Sequence, residues 1–278
     1  MKIHHLNTGT FRPIGGRLVS DGVAGFRGGR AVSHCLLIET AKDGLVLVDT
    51  GPGASLRPAG RMLELAFNVA LRPDYGPVES PSAQVKALGF DPTDVRHILL
   101  THLDPDHIGG LVEFPWAQVH LSQTELDAAT APRHFRERLF AHGQWAHGVQ
   151  WAPIPDSTET WKGIPNARTI SGLPDGIVAV ALPGHTEGHT GYAVATDAAT
   201  TSDWILHGGD SHFSRLQIAP EAGHKVPLGI KAFYRLTQYD AVVQRQTLAR
   251  LVDAHASPEV RIICSHDPRH IDSRESTT

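Results

Sequence analysis

Two cysteines in 278 residues, Cys35 and Cys264, are too few for a disulfide framework. They could pair once, but they read as buried thiols. No apolar run is long enough to span a bilayer, and the first residues, MKIHHLNTGTFRP, lack the apolar core of an export signal. The expectation is a cytoplasmic protein with no membrane partner. Positive charge is not in excess either. Lys and Arg number 25 against 29 Asp and Glu, and the net charge of −4 argues against a nucleic-acid partner. No G-x-S-x-G segment offers a serine elbow. Short repeats and low-complexity linkers are missing as well.

Histidine is what the chain has in quantity, 18 in all. The densest cluster is HILLTHLDPDHIGG at 97–110, where two histidines and two aspartates fall within six residues after an apolar run. Such a group repels itself and resists burial unless cations hold it, and two metal ions are the simplest answer.

Along the chain, VSHCLLIETAKDGLVLVDTG reads as a hairpin around Lys42-Asp43-Gly44, with Asp-Gly supplying the positive φ angles. A Pro-, Gly- and Arg-rich excursion follows, with a short helical piece at Met62 to Ala70. A helix is expected over SPSAQVKALGF, capped by Ser80 or Ser82 and ended at Gly89. Ile98, Leu99 and Leu100 are consecutive, which suits a strand covered on both faces. Another helix should start near Ser122, with Glu125 as its capping-box partner. Residues 131–165 lose this rhythm, carrying His142, Trp145, His147 and Trp151 among prolines and glycines, and read as a cap or insertion within one domain over 1–278. The second half repeats strands and a helix over YDAVVQRQTLARLVDAH. Two sheet-and-helix halves follow, most simply one sandwich with helices outside.

Four strands finish on a potential ligand: His102 after HILLT, His185 after VAVALPG, Asp210 after WILHGG and His266 after RIICS. Strand ends in sandwiched sheets gather at one rim, so these side chains can converge. His102 and Asp104, two apart in extended chain, point the same way. Asp106 and His107 are adjacent and diverge, so they can serve a different ion. Gly109 and Gly110 let the chain pass close to the site.

VDTG at 48–51, THLDPDHIGG at 101–110, LPGHTEGHTGY at 182–192, GGD at 208–210 and SHD at 265–267 together resemble the metallo-β-lactamase superfamily, in particular its lactonase-like branch. The resemblance covers nearly the whole chain. It implies an α/β fold, a four-layer αββα sandwich, and two divalent ions, zinc first. By position His102, Asp104, His185 and Asp210 would hold the first ion. Asp106, His107, Asp210 and His266 would hold the second, with Asp210 bridging. Asp49 would orient the ligand loops, and His189 falls at a structural histidine.

Asp104 departs from the usual His-x-His-x-Asp-His. A third carboxylate makes the site more anionic and more tolerant of Mn²⁺ or Fe²⁺ beside Zn²⁺. The alternative is that Asp104 turns away and the first ion is weakly held. The implied activity is hydrolysis of a small-molecule ester or lactone by a hydroxide shared between the ions, with Asp106 orienting it. Homoserine lactonases of this family carry a tyrosine three residues after the bridging aspartate, where this chain has Phe213. His212 is the candidate replacement donor, with a surface histidine as the alternative. His142, Trp145, His147 and Trp151 are candidate pocket walls, with core packing as the alternative for these aromatics. Thioester or phosphodiester hydrolysis and iron-based redox chemistry on the same fold are the rival readings. A homodimer is left open.

Overall fold

Strands made of unbroken apolar runs need cover on both faces, and here both are covered. The computed structural model describes residues 1–20, 28–53, 65, 68–74, 76, 79–133, 142–196 and 203–275. The first sheet comprises β1 (Lys2–Phe11), β2 (Ala31–Glu39), β3 (Leu45–Val48), β4 (Pro73–Asp74), β5 (Val95–Leu99), β6 (Gln118–Ser122) and β7 (Gln150–Ile154), in the order β4-β1-β2-β3-β5-β6-β7. Strands β1 to β3 pair antiparallel, whereas β3, β5, β6 and β7 run parallel. Strands β8 (Thr160–Trp161) and β9 (Ile164–Pro165) make a small hairpin. The second sheet follows chain order through β10 (Ala167–Thr169), β11 (Ile177–Ala181), β12 (Thr190–Ala195), β13 (Trp204–His207) and β14 (Val260–Ile263), with only its last pair parallel.

Alternation sorts the side chains into layers. Leu36 and Ile38 of β2, Val46 and Val48 of β3 and Leu99 of β5 meet Ile177, Tyr192, Val194 and Ile205 of the other sheet. The intervening Leu37, Leu47 and Ile98 face outward onto α1 (Pro81–Ala87) and α3 (Gln123–Thr130), touching the cluster of Val85, Ala128 and Ala129. Beyond the second sheet, Val180, Ala193 and Leu206 pack with Leu251 and Ala254 of α5 (Ala241–His255). The result is the four-layer αββα sandwich. Each fully buried aliphatic contributes about 1.5–3 kcal/mol against exposure, so the consecutive apolar residues hold both sheets at once.

Local signals mostly act as their chemistry dictates. Ser80 caps α1 by accepting from Ala83 N, with Pro81 in the first turn. The hairpin is looser than its Asp-Gly suggested. Gly44 alone takes positive φ there (77°), and Thr40 Oγ1 closes the loop by donating to Gly44 O at 2.7 Å. The helical piece expected at 62–70 falls largely outside the described residues. Of the stretch 131–165, β7 is the seventh strand of the first sheet, and Trp161 packs edge-to-face on Trp204, centroids 5.6 Å apart. The expected helix list lacked α4 (Leu228–Thr237) and α6 (Arg269–Glu275).

Candidate metal centre

The loops after β3, β5, β11, β13 and β14 meet at one rim. Asp49 directly follows β3 with φ 56°, a left-handed backbone that a non-glycine residue adopts at a cost of order 1–3 kcal/mol. That turn aims its carboxylate at the next loop. It accepts from Thr101 N and Thr101 Oγ1, both at 2.8 Å, and from His107 Nδ1 at 2.9 Å. His107 Nε2 is thereby left facing the other way. The loops can press this close because Gly53 and Gly109 lack side chains: a Cβ on Gly109 would lie 2.0 Å from Pro52 O.

Three donor groups form at this rim: His102, Asp104 and His185; His102, His107 and Asp210; and Asp106, His107 and His266, each with its donor atoms within 4.8 Å of one another. Asp104 turns inward, its Oδ2 lying 3.1 Å from His185 Nε2 and 3.5 Å from His102 Nε2. It begins α2 (Pro105–Ile108) without capping it, so the carboxylate is not taken up by the backbone. Asp210 sits between the groups. Its oxygens lie 3.3 Å from His107 Nε2, 3.7 Å from His185 Nε2 and 3.1 Å from His266 Nε2. Asp106 Oδ2 lies 3.6 Å from the same His266 nitrogen.

The electrostatics are those of a cation cradle. Burial pushes the Asp210 carboxyl upward, but His266 and His107 hold it well below the usual range. Burial likewise lowers His107, yet Asp210 and Asp49 on either side keep its imidazole well above the ordinary value. Buried His102 Nε2, His107 Nε2 and Asp210 Oδ1 have no hydrogen-bond partner among the described residues. Orphaned buried lone pairs converging from imidazoles and carboxylates fit divalent cations.

The structure separates the remaining candidates. His189 is wholly buried and accepts from Asp210 N through Nε2 at 3.0 Å, so it holds the backbone of Asp210. Phe213 lines the rim, edge-on to His185 at 5.8 Å and stacked on His266 at 5.6 Å. His212 does not sit at the surface, and it does not join the seven. It is fully buried, its Nδ1 meets Ser211 Oγ at 3.0 Å, burial drives its pKa down to about 3, and its donor neighbours are Cys264 and His270. Trp145 and Trp151 pack edge-to-face with each other, centroids 6.2 Å apart, against the outer core of the first sheet. His147 is exposed, and the side chain of His142 lies outside the described residues.

Sequence reasoning missed two residues. Glu125 was assigned to a capping box, and Ser122 Oγ does accept from Glu125 N. The carboxylate instead accepts from Leu103 N (3.0 Å), Thr186 Oγ1 (2.7 Å) and Gly188 N (3.2 Å), tying the His102 loop to the His185 loop. Burial raises its pKa to about 7. Tyr234, from α4, has its ring 5.9 Å from Phe213 and donates to Ser211 O at 3.2 Å. Glu at the third position of a helix carries no signal for such a reach, and α4 was not foreseen.

The model of the metallo-beta-lactamase superfamily matches residues 28–266. The chain belongs to that superfamily, and so to a family of divalent-metal hydrolases. A "probable metallo-hydrolase" of Mycobacterium tuberculosis is 38% identical over 273 residues, 96% of this chain and 81% of that protein. An N-acyl homoserine lactonase of Azorhizobium caulinodans is 30% identical over 125 residues, 45% of this chain and 43% of its own length. Among solved structures, AiiA of Bacillus thuringiensis with N-decanoyl-homoserine bound at its active site superposes with TM-score 0.66 at 20% identity, covering 98% of this chain and 95% of that one. No described helix is long and apolar enough to cross a membrane.

Proposed function

We propose that this member of the superfamily hydrolyses a small-molecule ester or lactone. His102, Asp104, His185 and Asp210 would hold one divalent ion, and Asp106, His107, Asp210 and His266 a second. The observation that carries the reading is that three donor groups overlap through His102 and His107, with Asp210 within 3.7 Å of nitrogens of His107, His185 and His266 and orphaned buried atoms among them. When bound, such a pair supplies hydroxide at neutral pH and polarises a carbonyl. The chain's own part is positional. Asp49 fixes His107 through Nδ1, and Val32 O fixes His266 through Nδ1 at 2.8 Å, leaving both Nε2 atoms for an ion. Asp106, beside His266, would orient the attacking hydroxide. Phe213 gives the pocket an apolar wall without a hydrogen-bond donor, and Tyr234 brings a phenol to the same wall. The lactonase relatives support a cyclic ester, and the missing tyrosine at Phe213 favours lactones other than the acyl-homoserine class. Zinc is the first choice of ion, and the inward Asp104 favours tolerance of manganese and iron.

The test is a panel of lactones, aryl esters, thioesters and phosphodiesters, run on protein reconstituted separately with zinc, manganese and iron while oxygen uptake is followed. Turnover of esters or lactones, abolished together with metal binding in His107→Ala, is the expected result. Oxygen uptake by the iron form without hydrolysis would replace this reading with a redox one. Full activity in His107→Ala would remove the proposed site.

A further inference from the structure

The strand ends that deliver Asp210 and His266 also deliver His212 and Cys264, each two residues away. These two do not join the seven. With His270, at the start of α6, their donor atoms lie within 4.8 Å of one another. His212 and Cys264 are both wholly buried. Ser211 Oγ occupies His212 Nδ1, so Nε2 is the atom left over, and it has no partner among the described residues; nor has the buried Nε2 of His270. Neither cysteine is in a disulfide. Other histidines surround the group without satisfying it. His34 lies with its ring 6.4 Å from His270, already bonded to His5 at 2.7 Å, and His207 Nε2 donates to His34 O at 2.7 Å.

A buried polar atom without a partner has lost its water and gained no bond in return, which destabilises the fold. Two orphaned imidazole nitrogens in a group that also holds a thiol are therefore an unfavourable arrangement unless something takes up their lone pairs. A cation shared by all three residues would take up those lone pairs together.

We propose that His212, Cys264 and His270 form a further metal site, separate from the hydrolytic centre, for a borderline-soft divalent cation of the zinc and cobalt type. One sulfur and two nitrogens are the donor set such ions favour, and the fourth tetrahedral position stays open. Binding exchanges the thiol proton for the cation: the sulfur–hydrogen bond gives way to a sulfur–metal bond and one proton leaves to solvent. The rim donors are imidazoles and carboxylates with no sulfur, so the rim tolerates harder ions than this site does. The cation would tie α6 to the ends of β13 and β14, whereas at the surface Asp272 of the same helix pairs with Arg30, just before β2, at 2.7 Å.

Cobalt distinguishes this site from the rim, because none of the seven rim donors is sulfur. Metal-stripped full-length protein is titrated with Co²⁺ while absorbance and bound metal are followed. A near-ultraviolet sulfur-to-cobalt charge-transfer band is expected in the unmodified chain and in Cys35→Ser. Cys264→Ser should lose the band and about one equivalent of cobalt, while keeping the weaker visible bands of the rim ions. His270→Ala lies on a terminal helix at a partly exposed position and is the variant less at risk of misfolding. It should bind the sulfur-ligated cobalt at least about tenfold more weakly, equivalent to about 1.4 kcal/mol. Absence of the band in the unmodified chain overturns the site. So does a band that survives Cys264→Ser, or one that disappears in Cys35→Ser instead.

Discussion

Replacing Glu125 tests whether the two ligand loops depend on one buried carboxylate. In Glu125→Gln the side chain keeps its size, but one oxygen becomes an amino group. Thr186 Oγ1 can turn to accept from it, whereas a backbone N–H of Leu103 or Gly188 cannot. Either amide orientation leaves one buried N–H unsatisfied, at about 1–3 kcal/mol. Glu125→Ala frees both N–H groups and adds a cavity, which raises the cost to about 3–6 kcal/mol. The three bonds lie beside His102, Asp104, His185 and His189, so the loss should fall on the alignment of metal donors. About 2 kcal/mol appearing there weakens metal binding roughly 30-fold. Chelator competition on the three proteins, with thermal melts of the metal-free forms alongside, measures both effects. Metal affinity should fall in the order Glu, Gln, Ala. If Glu125→Ala melts earlier but binds metal as tightly as the unmodified protein, the carboxylate is packing, and its role in aligning the loops is refuted.

Asp104→His replaces the third carboxylate with an imidazole and should shift metal preference from manganese and iron toward zinc; an unchanged metal profile would mean that Asp104 is not a ligand. His189→Ala should lower stability more than metal content, because the lost bond is to Asp210 N rather than to an ion; a clean loss of one metal would assign His189 to the ligands. Acid should destabilise the metal-free protein through its neutral histidines. Burial lowers His120 to about 4 and His5 to about 3, both below the ordinary 6.5. The unfolded chain therefore takes up protons first as pH falls: their contribution is complete above about 6.5 and disappears toward the folded-state values, at up to about 1.4 kcal/mol per pH unit for each histidine. Urea midpoints at pH 7 and 5.5 would show it, with a smaller drop in His120→Asn; a flat profile would contradict the assignment.

The residues that meet at the rim were legible because each depends on short-range information. His102, His185, Asp210 and His266 follow strands that their own apolar residues specify, and a strand end has few places to go in a sandwich. Consecutive apolar residues such as Ile98 and Leu99 also announced cover on two faces, which the helices and the second sheet provide. Phe213, the position that the resemblance singled out three residues after Asp210, lies with its ring against His185 and His266. The hairpin loop at 40–44 was misjudged in detail, since Thr40 rather than an Asp-Gly pair closes it.

The amino-acid order by itself determined the layers and which side chains stand at strand ends, because burial of alternating or continuous apolar residues and the turns after them are decided within a few residues. Only the folded chain decided which of these side chains lie together and which do not. His212 and Asp210 are two residues apart yet belong to different clusters, and Glu125 reaches loops 22 and 61 residues away. Those outcomes depend on where separate strands place their ends in space, a quantity fixed by sheet packing and not by any local preference of the residues themselves.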